Sequence, residues 1–241
     1  MKPGDDQSLE ADGALFIIPT PIGNLGDLSP RAIETLKSSD LLACEDTRLT
    51  GKLIASLGIE VPTTSYRENN ERRLAGQLSE EIMAGKKISL VSAAGFPNIS
   101  DPGFRLVREC RRMGLPVIPL PGPNAAITAL AASGMPTNKF LFLGFLPPKK
   151  AARLKAYKEW KDFPGSIVLY ESKHRIEVAL ADLQEVVGAE RNVCLARELT
   201  KLHETFYHGR LDRVRRQLDE GSKKGEFVLV VAPVGYELHK S

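Results

Sequence analysis

Lys87-Ile-Ser-Leu-Val-Ser-Ala-Ala-Gly-Phe-Pro-Asn-Ile-Ser-Asp-Pro-Gly-Phe-Arg105 is the stretch on which the architecture turns. Ile88 to Val91 reads as a short buried strand that breaks into a loop of small residues, Ser92, Ala93, Ala94 and Gly95. Asp101-Pro102 has the pattern of an N-cap followed by proline in the first helical position. The helix it predicts carries Phe104, Val107 and Cys110 on its inner side. A loop at the carboxyl end of a strand in an α/β sheet is where small molecules bind. Small side chains let the backbone approach a ligand, and Gly95 and Gly103 can take angles closed to other residues. Many strand-to-helix turns bind nothing, so the motif alone leaves both readings open.

Outward from this stretch the same alternation recurs. Leu15 to Ile18, Leu41 to Cys44, Thr63 to Tyr66 and Val117-Ile118 read as strands. Helices are expected from Ser29-Pro30 to Leu36, up to Leu57 with Gly58 as its stop, over Asn70 to Ala84, and from Pro121-Gly-Pro-Asn124 to Ser133-Gly134. Short apolar strands alternating with helices predict a parallel sheet with crossovers. Met135 to Lys139 is the expected boundary, giving an N-terminal α/β domain over 14–134 and a C-terminal α/β domain over 140–235. In the second half, strands are expected at Phe140–Phe145, Ser166–Tyr170, Asn192–Ala196, Glu204–His208 and Phe227–Val231. The helices between them run to about Lys161, over His174–Val187 and over Leu211–Leu218. Residues 1 to 13 read as a frayed tail.

The chain has 241 residues, 42% hydrophobic and 26% charged, enough for a core without staples. Cys44, Cys110 and Cys194 are scattered and odd in number, which favours buried free thiols. The polar, acidic start does not resemble a secretory signal, and no apolar run approaches a membrane span, so a cytoplasmic location is expected. A net charge of +3 excludes a wholly basic nucleic-acid binder. Basic residues nevertheless cluster at Lys149, Lys150, Arg153, Lys155, Lys158 and Lys161, and again at Arg213, Arg215, Arg216, Lys223 and Lys224. These are either solvated helix faces or a footprint for a phosphate backbone. Leu154, Tyr157 and Trp160 form a stripe at helical spacing, as a core face would.

Several chemistries fail on pattern. Gly23-Asn-Leu-Gly26 follows a strand, but it is not a dinucleotide fingerprint, and Pro19, Pro21 and Ile22 occupy the place of bare amides. No phosphate loop is present, nor the glycine run of the common methyltransferase fold. No serine lies in a nucleophile elbow. The histidines, His174, His203, His208 and His239, fall in the second half without zinc-ligand spacing.

Seven segments occur in register: Pro19–Asp27, Cys44-Glu-Asp-Thr-Arg48, Ile99-Ser-Asp-Pro-Gly103, Pro119–Pro123, Tyr170-Glu-Ser172 with His174-Arg175, Arg197–Glu204, and Gly225–Leu229. Together they resemble the ribosomal RNA cytidine 2′-O-methyltransferases of the tetrapyrrole methylase superfamily, over about Leu15 to Ala232. The resemblance implies two α/β domains with S-adenosylmethionine in the cleft between them. The cofactor would be held by Ser92, Ala93, Ala94, Gly95, Phe96, Ile99 and Ser100, by Pro121, Gly122 and Ala125, and by second-domain backbone near Glu171 and Phe227. The Pro19–Asp27 loop would face the acceptor, a cytidine of small-subunit (16S) ribosomal RNA. A homodimer is implied as well. No metal is needed for such a transfer, but a group to take the hydroxyl proton would help. Asp27, Asp46 and Glu171 are candidates for that work, with Arg48 and Lys201 as phosphate or sugar clamps. A tetrapyrrole or another small molecule is the alternative acceptor, and a non-catalytic binding relative is the alternative role. This chain departs from the family pattern at Ala93, Phe96, Asn98, Arg67, Asn69, Lys173 and Arg210, and Phe96 places bulk beside the expected cofactor.

Overall fold

The computed structural model describes residues 12–237, so most of the expected tail and His239 lie outside the described residues. The chain divides into two compact units, Met1–Asn124 and Ala125–Ser241.

In the first unit, strands β1 (Ala14–Ile18), β2 (Leu41–Cys44), β3 (Thr63–Ser65), β4 (Lys87–Val91) and β5 (Val117–Pro119) form one sheet in the order β3-β2-β4-β1-β5. Every pairing is parallel. All five residues of β1 are buried, as expected for an apolar run covered on both faces. Helices α1 (Pro30–Lys37) and α2 (Thr47–Ser56) cover one face through Leu36 and Ile54, which pack with Phe16, Ile18 and Leu42. Helices α3 (Glu71–Met83) and α4 (Phe104–Arg112) cover the other through Leu78, Ile82 and Leu106, which pack with Leu15, Ile17 and Leu90. The neighbours β1 and β4 therefore send their following helices to opposite faces. That is a topological switch point, where α/β sheets open a crevice at their carboxyl edge.

The start of α1 follows its sequence signal. Ser29 accepts a hydrogen bond from the Ala32 amide at 3.1 Å, ahead of proline in the first turn. The start of α4 does not. Its N-cap is Gly103, at φ +151°, and no side chain caps it, so Asp101 is not the cap expected from Asp-Pro. The reason lies in the preceding backbone, where Asn98 at φ +70° and Ser100 at φ +64° are both left-handed and delay the helix past Pro102. On its expected inner face Cys110 is buried and Val107 packs against the core, but Phe104 is 61% exposed and Leu106 is buried in addition.

The second unit contains α5 (Ala125–Ala132), β6 (Phe140–Phe145), α6 (Lys150–Trp160), β7 (Ser166–Ser172), α7 (Ile176–Val187), β8 (Asn192–Arg197), β9 (Thr205–Arg210), α8 (Leu211–Glu220) and β10 (Glu226–Val231). Its sheet has the order β6-β7-β10-β8-β9, with β6 parallel to β7 and the remaining pairs antiparallel. Helices α6, α7 and α8 cover one face, where Tyr157, Leu180 and Val214 meet Leu195 and Leu229. Tyr157 and Trp160 thus belong to the core side, as their spacing suggested. Helix α5 packs on β7 and β10, and the Ala126 amide donates to the Tyr170 hydroxyl at 3.2 Å. This anchoring places the division before α5 rather than in the Met135–Lys139 segment.

The three cysteines are buried and unpaired. Arg153, counted in the sequence among a basic surface cluster, is only 3% exposed. Its Nε donates to Asp182 at 2.9 Å and its Nη1 to the Pro148 carbonyl at 2.9 Å. It is a buried tie between α6 and α7, not a surface charge.

Candidate active site

At the switch point the loops after β1 and β4 are bound to each other. Thr20 and Gly95 exchange two main-chain hydrogen bonds of 2.9 Å. The Thr20 hydroxyl donates to the Ser92 carbonyl at 3.1 Å, and the Ser92 hydroxyl donates to the Gly95 carbonyl at 2.9 Å. Gly95 sits at φ +80°, a backbone angle that favours glycine, and a Cβ there would make a tight contact 3.3 Å from Ile22 Cγ2. Pro19 lies as close to Gly122, whose Cβ would come within 2.9 Å of the proline ring. The loop expected to face the acceptor is thus joined by main-chain hydrogen bonds to the expected donor loop after β4 and packs closely on the second donor segment at Gly122.

What the Ser92–Ser100 loop leaves accessible is main chain flanked by the smallest side chains. Ala93, Ala94, Ile99 and Ser100 are exposed, while Ser92, Gly95 and Pro97 are buried. Phe96 packs against the apolar cluster of α3 and α4, so its bulk is directed into the unit's own core. Left-handed angles at Gly95, Asn98, Ser100 and Gly103 concentrate in this one segment. Such strain gathers at binding loops, where surrounding structure over-determines the backbone.

Beside this loop, at the carboxyl ends of β2, β3 and β4, the first unit has an open depression of about 710 Å³. Glu45, Arg67, Asn69, Ser100, Asp101 and Phe104 line it, with Glu68 and Glu71 also contributing. Arg67 donates from Nε to the Glu45 carbonyl at 2.8 Å, and Arg105 holds Glu71 at 2.9 Å. Asp101, released from capping, is half-buried. Burial first, and then the nearby Glu45 charge, push its carboxyl up to about 6. Among the described residues, no group of three His, Cys, Asp or Glu side chains is arranged to hold a metal ion.

The other expected site residues are brought to varied places. Asp46 caps α2, accepting from the amides of Arg48 at 2.9 Å and Leu49 at 3.2 Å. Those amides hold its carboxyl below the usual range, which makes it a weak base. Arg48 is 82% exposed and faces Asp46 at 3.6 Å. Asp27 is exposed at the end of a 3-10 turn, Leu25–Asp27. In the second unit, Glu171 accepts from the Ser172 amide and from Arg175 Nε, both at 2.8 Å. Phe227 lies in the core of that unit, 2% exposed. The side chains of both are committed, leaving main-chain atoms for any ligand. Lys201 bridges Glu198 at 2.9 Å and Glu226 at 2.8 Å. Much of the basic surface is likewise paired: Lys150 with Glu185, Lys161 with Asp162, Arg216 with Asp212, and Lys223 with Glu177 and Asp219.

Sequence reasoning placed Glu45 at a strand end and noticed Arg67-Glu68-Asn69-Asn70-Glu71 only as a departure from a pattern. It did not bring either together with Asp101. The available signal was that all three lie just beyond predicted strands of one parallel sheet, hence at the same edge.

Comparison with known proteins identifies the family and the fold. A model of the tetrapyrrole (corrin/porphyrin) methylases matches residues 14–215. A Synechocystis protein named ribosomal RNA small subunit methyltransferase I is 46% identical over 220 residues, covering 91% of this chain and 79% of the relative. The Vibrio cholerae protein of the same name is 48% identical over 219 residues, covering 90% and 76%. Among solved structures, the methyltransferase CobJ superposes with a TM-score of 0.67 at 17% identity, covering 94% of this chain and 96% of that one. A cobalamin biosynthetic enzyme, cobalt precorrin-4 methyltransferase, superposes with a TM-score of 0.64 at 14% identity, covering 95% and 98%. At such identities the two structures bear on the fold alone. A parallel sheet with its strained loop at the switch point, and a family match over most of the chain, lead to one assignment: the chain belongs to the tetrapyrrole (corrin/porphyrin) methylases.

Proposed function

We propose that the chain transfers a methyl group from S-adenosylmethionine to the ribose 2′-hydroxyl of a cytidine in small-subunit ribosomal RNA. The observation that carries this reading is the 46% identity to a ribosomal RNA small subunit methyltransferase I across 91% of the chain. The solved tetrapyrrole methyltransferases, at 14–19% identity, do not bear on the acceptor.

The residues present suit such a donor. When bound, S-adenosylmethionine supplies a sulfonium methyl that an oxygen displaces directly. Aligning the reacting atoms contributes much of the rate in a displacement of this kind. The loop Ser92–Ser100 offers main-chain carbonyls and amides at Ala93 and Ala94, with only methyl side chains to compete. The Thr20–Gly95 pairing fixes those groups before a ligand arrives, so little ordering is left to do on binding. Pro121 and Gly122, held against Pro19, provide a second rigid main-chain surface.

Support for a homodimer comes from the family resemblance, and support for a cytoplasmic setting from the ribosomal RNA in the relatives' name. Among the described residues no helix is long and apolar enough to cross a membrane.

The test is incubation with tritiated S-adenosylmethionine and small ribosomal subunits from cells lacking the protein. Label in the RNA fraction is expected. Label only in an added porphyrin or corrin, with none in RNA, refutes the reading.

A further inference from the structure

We propose that the depression at the carboxyl ends of β2, β3 and β4 takes the acceptor nucleoside, with Asp101 receiving the hydroxyl proton and Phe104 stacking on the base. This rests on the methyl-transfer reading above and adds to it a place and a base.

Size comes first. A volume of about 710 Å³ lies within the range of small-molecule sites, roughly 300–1,000 Å³. Its chemistry selects hydrogen-bond donors. Glu45, Glu68, Glu71 and Asp101 are acceptors, and Arg67 is the one cationic side chain among the lining residues. Arg67 can meet a flanking phosphate of the RNA, and ribose hydroxyls and the exocyclic amine of a cytosine donate to the carboxylates. Phe104 provides the apolar complement. The helix buries Leu106 and Cys110 and leaves Phe104 61% exposed in the lining. An aromatic face in that position suits a base removed from its stack.

Asp101 is half-buried and, like Glu45 and Glu68 in the same lining, has no ion pair among the described residues. Asp46 caps a helix, Glu71 is held by Arg105, and Glu171 is held by Arg175. Asp101 neither caps α4 nor forms an ion pair among those described. It follows Ser100 directly, so the proposed base sits one residue beyond the loop proposed to hold the donor. The other charged groups of the lining are Glu45 beyond β2, Arg67 and Glu68 beyond β3, and Glu71 on α3, which Arg105 on α4 holds. In the step itself the O–H bond breaks and its proton passes to the Asp101 carboxylate. The oxygen lone pair forms the new O–C bond, and the C–S bonding pair leaves with sulfur, which becomes a neutral thioether. Solvent then takes the proton from Asp101. Its raised carboxyl makes it a stronger base than an ordinary aspartate while leaving it ionised above neutral pH.

The test compares the parent chain with Asp101→Asn and Phe104→Ala. Methyl transfer to unmodified small subunits is measured from pH 5.5 to 8.5, and S-adenosylmethionine binding is measured by calorimetry. For the parent, kcat is expected to rise through pH of about 6 and level off. Asp101→Asn should lower kcat by roughly 10²–10⁴-fold and abolish that rise, with donor Kd changed less than about twofold. Phe104→Ala should raise KM for the RNA by roughly 5–100-fold with kcat little changed. An Asp101→Asn chain that keeps kcat and the pH rise overturns the assignment. So does a tenfold loss of donor affinity in either variant, which would make the depression the donor's own site. A parent chain that binds the donor but methylates no RNA overturns the methyl-transfer reading itself, and the nucleoside assignment with it.

Discussion

Replacing Gly103 by alanine tests whether the strained turn before α4 is as tightly determined as its geometry indicates. The residue sits at φ +151°, and a Cβ there would lie 2.8 Å from Leu90 Cδ2 and 3.0 Å from Asn98 Cβ. Neither neighbour has slack. Leu90 is 1% exposed in the core, and Asn98 is itself left-handed at φ +70°. A backbone angle of this kind costs about 1–3 kcal/mol and overpacking a further 1–3, so the substitution is expected to destabilise by about 2–6 kcal/mol. For a chain of this size each kcal/mol moves Tm by roughly 2–4 °C, which places the fall at about 4–24 °C. The internal control is the same chemical change at Gly51, in the middle of α2, where an added Cβ meets nothing within 4 Å. There alanine should raise stability by up to about 1 kcal/mol, because it is the better helix former. Scanning calorimetry of both variants reads the opposite signs directly. If Gly103→Ala melts within about 2 °C of the parent, or if Gly51→Ala falls as far, the steric reasoning is wrong.

Asp182→Ala strands the buried Arg153 guanidinium and should cost about 3–5 kcal/mol in chemical denaturation, whereas the paired Arg153→Met/Asp182→Leu change should recover most of it; equal stability of the single and paired variants would contradict this. Thr20→Val removes the buried 3.1 Å hydrogen bond to the Ser92 carbonyl and should cost about 1–3 kcal/mol by the same assay, with weaker donor binding by calorimetry. Asp101→Asn should stabilise the fold at neutral pH. A carboxyl raised in the folded state binds its proton more tightly there than when unfolded, so ionisation penalises folding fully above about 6 and not at all below its unfolded value of 3.8. The gain in Tm is therefore expected at pH 7.5, shrinking as pH falls through 5 to below 4; because Asp101 is only half-buried it should amount to about 1 kcal/mol after solvent screening. A gain that grows on acidification would refute the sign.

The first sheet was largely legible because its strands are uninterrupted apolar runs separated by caps and glycine stops. Ser29-Pro30 and Gly58 mark ends that the structure keeps. The second sheet was legible as strands and helices, but not in its pairing. Nothing in Thr205–Arg210 or Glu226–Val231 distinguishes an antiparallel partner from a parallel one. Asp101 illustrates a deeper limit. Asp-Pro before an apolar run is a sound capping signal, and it fails here because two left-handed residues upstream redirect the chain. Local propensity does not encode that turn, and the same misdirection leaves Phe104 outside the core and Asp101 beside Glu45. Arg153 shows the converse error: one cation among many reads as surface, and only the packing of α6 on α7 gives it Asp182.

Nucleoside mass spectrometry reads methyl transfer to a ribose oxygen of a cytidine without an intermediary. Small-subunit RNA from cells lacking the protein is treated with the chain and S-adenosylmethionine, digested to nucleosides and compared with untreated RNA. The expected result is a new 2′-O-methylcytidine. A methyl group found on a base, or an unchanged nucleoside profile from a chain that binds the donor, would contradict it.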